Sequence, residues 1–108
     1  MRTFWGRKGK SITLPCSLPT PEDNNYSLEW KKNNKLIMSA YGAEAGQIAP
    51  NLQGGVARGS NLGLTIHSVS NMDNGQYHCV LTRFSRQPTK AEIGPPLRVV
   101  VNDFIGMQ

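Results

Sequence analysis

Two cysteines, Cys16 and Cys79, stand 63 positions apart, and each sits in a stretch where apolar and polar residues alternate. Alternation of this kind marks strands buried on one face. A zinc site would want closely spaced ligand pairs such as CxxC, and the chain has none. A catalytic thiol stays open at either position, but two buried strand cysteines favour one long-range disulfide. Such a bridge would stabilise the fold by about 4 kcal/mol in the chain-entropy model. It would also put the chain in an oxidising compartment, secreted or at a cell surface.

The rest of the chain continues the pattern. Residues 10–18 place Ile12, Leu14, Cys16 and Leu18 on one side, and 19–25 carry turn chemistry. Tyr26 to Lys32 alternates again, with Leu28 and Trp30 inward and Glu29 and Lys31 outward, until Asn33-Asn34 breaks the run. Lys35 to Tyr41 reads as another strand, and 42–55 as a long Gly/Ala-rich connection with weak strand signal. Residues 56–58 and 62–68 predict a hairpin across Gly59-Ser60-Asn61. Residues 76–83 place Tyr77, Cys79 and Leu81 on one side, and a last strand covers 96–102, with Val99 and Val101 facing one way. Short strands at regular spacing, each with one apolar face, predict an all-β two-sheet sandwich.

Cys16, Trp30, Leu64-x-Ile66 and Asp73-x-Gly75-x-Tyr77-x-Cys79 together resemble an immunoglobulin domain. The extra strand at Lys35 to Tyr41 is closer to the variable (V) type, with an intermediate, I-type form as the alternative. The resemblance implies a Greek-key sandwich with one inter-sheet disulfide, packed against Trp30, and a corner locked by Tyr77. It implies one domain over 1–108, with its core at 3–102 and a tail or linker at 103–108. In V-type domains the motif aspartate commonly pairs with an arginine at the start of strand D. Here Gly55 occupies that place and Arg58 is the nearest base, so Asp73 is expected to cap its turn instead, while Gly75 permits a tight approach. Ile93-Gly94-Pro95-Pro96-Leu97 echoes the joining segment of antigen-receptor V domains only at Gly94 and the later valines. Adhesion and co-receptor domains end similarly.

The chemistry of function is thin inside this frame. His67 and His78 are the only histidines, and no carboxylate pair, Ser-His-Asp set or phosphate-cradling loop accompanies them. The reading is therefore non-enzymatic, with no metal and no cofactor. The net charge of +5 is too small and scattered to indicate nucleic acid. No apolar run reaches the roughly 18 residues of a membrane span. The start at Met1 followed by Arg2-Thr3-Phe4-Trp5 reads as a mature domain edge, with any leader or anchor elsewhere.

Partner binding is the stronger expectation. The resemblance points to the outer face of the sheet formed by strands G, F, C and C′. Alternation projects Glu29, Lys31, His78, Val80 and Thr82 there. The following loop offers Phe84 between Arg83 and Arg86, the composition of an interface anchor. A charged Lys31 disfavours obligate antibody-style pairing. Glu29 and Lys31 could pair across a two-fold axis, making a homophilic dimer one candidate. Lys31, Lys32, Lys35, Arg83, Arg86 and Lys90 suggest an anionic glycan as another. A structural spacer in a longer ectodomain is the contrasting expectation. Asn25-Tyr26-Ser27 is an N-glycosylation sequon, which makes Asn25 a candidate glycan site.

Overall fold

A computed structural model describes residues 1–102; the tail or linker expected at 103–108 lies outside the described residues. The strands are β1 (Arg2–Arg7), β2 (Ile12–Leu14), β3 (Tyr26–Lys32), β4 (Lys35–Tyr41) and β5 (Gln47–Ile48). They continue with β6 (Val56–Arg58), β7 (Leu64–Ile66), β8 (Gly75–Arg83), β9 (Ala91–Ile93) and β10 (Leu97–Asn102). One sheet has the order β1-β10-β8-β3-β4-β5, with β9 also paired to β8, and the other has the order β2-β7-β6.

Strands β3 and β8 form the centre, antiparallel and in register from Tyr26 opposite Arg83 to Lys32 opposite Tyr77. Their alternation is clean: Leu28, Trp30, Tyr77, Cys79 and Leu81 are buried, while the residues between them face outward. Each buried Leu or Val contributes about 1.5–3 kcal/mol by leaving water. β3 turns into β4 through Asn33 and Asn34, with φ of 50° and 68°. Lys32 pairs with Lys35 across them. A two-residue turn with both φ positive matches the strand twist, and asparagine tolerates that region better than most residues.

The Cys16–Cys79 disulfide joins the two sheets, with the Cα atoms 5.4 Å apart. Trp30 lies opposite Cys79 in the register and is fully buried; its Nε1 donates to the Leu62 carbonyl at 2.9 Å. That bond removes the polar cost of burying an indole. Gly94 crosses directly over the bridge. A Cβ there would stand 2.5 Å from Cys79 Sγ and 2.6 Å from the Cys16 carbonyl oxygen, so only glycine fits.

The corner before β8 is held twice. Tyr77 Oη donates to the Asp73 carbonyl at 2.7 Å, and Asp73 Oδ2 accepts from the Ser70 amide at 2.9 Å. Asp73 thus closes the capping box of the short 3-10 turn Asn71–Asp73, whose N-cap is Ser70. Arg58 goes elsewhere: Nη1 donates to the carbonyls of Gly42 and Glu44, and Nη2 to Tyr26 Oη.

Three elements depart from the sequence expectation. β1 pairs in parallel with β10, and its sequence gave no strand signal because only Gly6 is fully buried. The connection 42–55 contains the two-residue β5 and a 3-10 turn at Pro50–Leu52, both too short for a periodic signal. β9 is a three-residue strand before Gly94, separate from β10.

Candidate functional site

The outer face of the larger sheet can be read from the register. One row runs Ala91, Thr82, Ser27, Tyr41, and the next runs Ile93, Val80, Glu29, Ser39, Gln47. A third runs His78, Lys31, Leu36, offset by a bulge between Trp30 and Lys31. Glu29, Lys31, His78 and Val80 therefore lie together, each half-buried by its neighbours. Sequence reasoning missed the large apolar groups that frame them: Ile93 at 69%, Tyr41 at 51% and Leu36 at 49% exposure. Tyr41 alternates with Ser39 opposite Glu29, a signal the sequence did carry. Ile93 lay in a strand too short to detect.

The loop after β8 corrects one expectation. Arg83 is not an exposed anchor; it is 6% exposed, with Nε donating to Glu92 Oε1 at 2.8 Å and Nη2 to the Pro19 carbonyl. It shares the parity of Tyr77, Cys79 and Leu81, so it points inward with them. Arg86 stays exposed, 3.8 Å from the same carboxylate. Phe84 is 39% exposed and stacks on Tyr41, with centroids 6.1 Å apart and planes 18° from parallel. The anchor is therefore an aromatic pair drawn from β4 and the loop rather than a single side chain.

A polar latch holds this pair. Asp23 accepts from the Asn25 amide at 2.9 Å and from Ser85 Oγ at 2.8 Å. Asn25 Nδ2 donates to Ser85 Oγ at 3.3 Å, and Asn25 Oδ1 accepts from Tyr41 Oη at 2.5 Å. The Phe84 amide donates to the Asn25 carbonyl at 2.9 Å. The backbone bond from Asn25 and then the Ser85 hydroxyl hold the Asp23 carboxyl below its ordinary value. The loop after β8 is tied to the loop before β3 at the edge of the outer face.

Among the described residues no group of His, Cys, Asp and Glu could hold a metal ion, and no helix is long and apolar enough to cross a membrane. The two-sheet order, the buried bridge over Trp30 and the tyrosine corner define an immunoglobulin-like sandwich. Residues 1–100 match the model of the immunoglobulin V-set domain. The chain belongs to that family, whose domains are non-catalytic.

Solved structures agree on the fold. The amphioxus IgVJ-C2 molecule superposes with a TM-score of 0.78 at 20% identity, covering 91% of this chain and 54% of that one. The first Ig-like domain of human CD48 antigen gives 0.75 at 17% identity, covering 94% and 82%. Extracellular domains 3–5 of Drosophila OTK give 0.70 at 22%, covering 94% and 33%. The chain thus spans about half of the amphioxus molecule and a third of the OTK segment.

Proposed function

We propose that this domain is a recognition module of a cell-surface or secreted protein, and that it binds a protein partner through the outer face of β9, β8, β3 and β4. The observation that carries this reading is the exposed set Ile93, Tyr41, Phe84 and Leu36 around Glu29, Lys31, His78 and Val80. Aromatic and aliphatic anchors beside a few charges are the composition of a protein-binding patch. The latch lowers the ordering entropy lost when the loop is engaged. The disulfide agrees with an oxidising, extracellular setting.

A protein partner fits this face better than an anionic glycan. Arg83 is buried, and the Lys32 ammonium is committed to the Met72 carbonyl and lies over the Tyr77 ring. The basic set is thus smaller than the sequence suggested. Glu29 and Lys31 sit two residues apart on one strand face, so a second copy related by a two-fold axis is the first partner to test.

Sedimentation of the wild type against Lys31→Glu and Phe84→Ala tests self-association, with a shift toward monomer expected in both variants. Staining of cells by a multivalent form of the domain tests heterologous partners, with loss expected for Ile93→Lys. A wild-type domain that neither self-associates nor stains any cell type of its source would overturn the recognition reading and leave a spacer role.

A further inference from the structure

We propose that Asn25 carries an N-linked glycan and that this glycan shields the Tyr41–Phe84 corner, leaving the Ile93, Val80, His78 and Lys31 region as the open part of the face. Asn25-Tyr26-Ser27 is a sequon in a chain whose disulfide places it where such glycans are added. Asn25 is exposed, and its carboxamide already lies at the corner: Oδ1 accepts from Tyr41 Oη, and Nδ2 donates to Ser85 Oγ at 3.3 Å.

The native latch is compatible with the modification. The Asn25 amide nitrogen carries two hydrogens and meets one protein acceptor among the described residues. Transfer from a lipid-pyrophosphate-linked oligosaccharide forms the Nδ2–C1 bond. It breaks the donor's C1–O bond, whose electron pair leaves with the pyrophosphate, and it releases one Nδ2 proton to base. The second N–H remains for Ser85, and Oδ1 remains for Tyr41. The loop keeps its position while a bulky, solvated sugar stands over the stacked rings.

The consequence for partner choice rests on the recognition reading; attachment and shielding do not. The test is secretion of the chain from eukaryotic cells, as wild type, Ser27→Ala and Asn25→Gln, followed by intact-mass measurement before and after enzymatic removal of N-glycans. The wild type is expected to lose the mass of one oligosaccharide, and both variants to lose none. A wild type without that loss, or a Ser27→Ala protein that still shows it, overturns attachment. Ser27→Ala keeps the Asn25 latch, so it serves even if Asn25→Gln folds poorly.

Hydroxyl-radical labelling then compares the glycosylated wild type with Ser27→Ala. Labelling of Tyr41 and Phe84 should fall in the glycoform, with Ile93 unchanged. Equal labelling at Tyr41 and Phe84 overturns shielding. If shielding holds and the Phe84→Ala variant keeps wild-type self-association in the glycoform, the recognition reading fails at that corner while the glycan assignment stands.

Discussion

Arg83 and Glu92 join β8 to β9 beneath the loop that leads to the outer face, with Nε donating to Oε1 at 2.8 Å. Arg83 is almost fully buried, and its other contact is the Pro19 carbonyl. Removing the guanidinium would strand both acceptors. Because the Glu92 side chain is 32% exposed and can turn to water, the penalty falls short of that for a fully enclosed pair. Arg83→Ala should cost about 2 kcal/mol in denaturant unfolding, whereas Arg86→Ala, on an exposed and longer contact, should cost under about 0.5 kcal/mol. Equal effects would show that the burial of Arg83 does not matter to stability.

The Asp23 latch makes the loop sensitive to acid. The folded carboxyl titrates below its ordinary value of 3.8 because Asn25 and Ser85 donate to it. A group depressed in the folded state contributes its stabilisation above the unfolded value and loses it as pH falls through the folded one. The latch should hold at neutral pH and loosen only below 3.8. Amide chemical shifts of Asn25 and Ser85 followed through an acid titration should show that inflection, and Asp23→Asn should abolish it. An inflection above the ordinary value would contradict the latch.

Much of this architecture is legible from two-residue periodicity. Strands β3, β4 and β8 have enough residues for one face to declare itself, and the spacing of Cys16, Trp30, Tyr77 and Cys79 orders them. Arg83 was legible too, since it continues the inward parity of Leu81. Reading it with the loop set aside the alternation. β1 was not legible, because its burial comes from pairing with β10 and not from an apolar stripe of its own. The latch was equally hidden: Asp23, Asn25, Tyr41 and Ser85 come from three separate segments, and no local pattern brings them together. The glycine at 94 could be matched by eye, but its reason lies in the disulfide beneath it.

Tyr77 gives the fold an alkaline limit. Burial, with the Asp73 charge as a second cause, pushes its phenol well above the ordinary 10.0. Below that value both folded and unfolded chains are protonated, and stability is unaffected. As pH rises past 10.0 the unfolded chain ionises while the folded one keeps its proton, so stability declines. Tyr77→Phe removes the bond to the Asp73 carbonyl and should cost about 1 kcal/mol at neutral pH. It should also flatten the loss of stability above about pH 10. Denaturant midpoints across that range check both, and an unchanged alkaline slope in the variant would exclude Tyr77 as its source.

Arg58 and Asp73 are the last pair to test, because many V-type domains join such residues and this one does not. Asp73 caps the Ser70 amide, while Arg58 ties the carbonyls of Gly42 and Glu44 to Tyr26 Oη. The two residues serve different loops, and no ion pair joins them among the described residues. Arg58→Ala should cost about 2 kcal/mol, from several charge-assisted bonds to partly buried acceptors. Asp73→Ala should cost about 1 kcal/mol, the usual net worth of the one hydrogen bond it accepts from the Ser70 amide. In a double-mutant cycle the two should add to within about 0.5 kcal/mol, as independent sites do. A coupling above about 1 kcal/mol would mean that the pair interacts in solution after all. Arg58 would then be serving Asp73 from three residues beyond Gly55, where the family places its arginine.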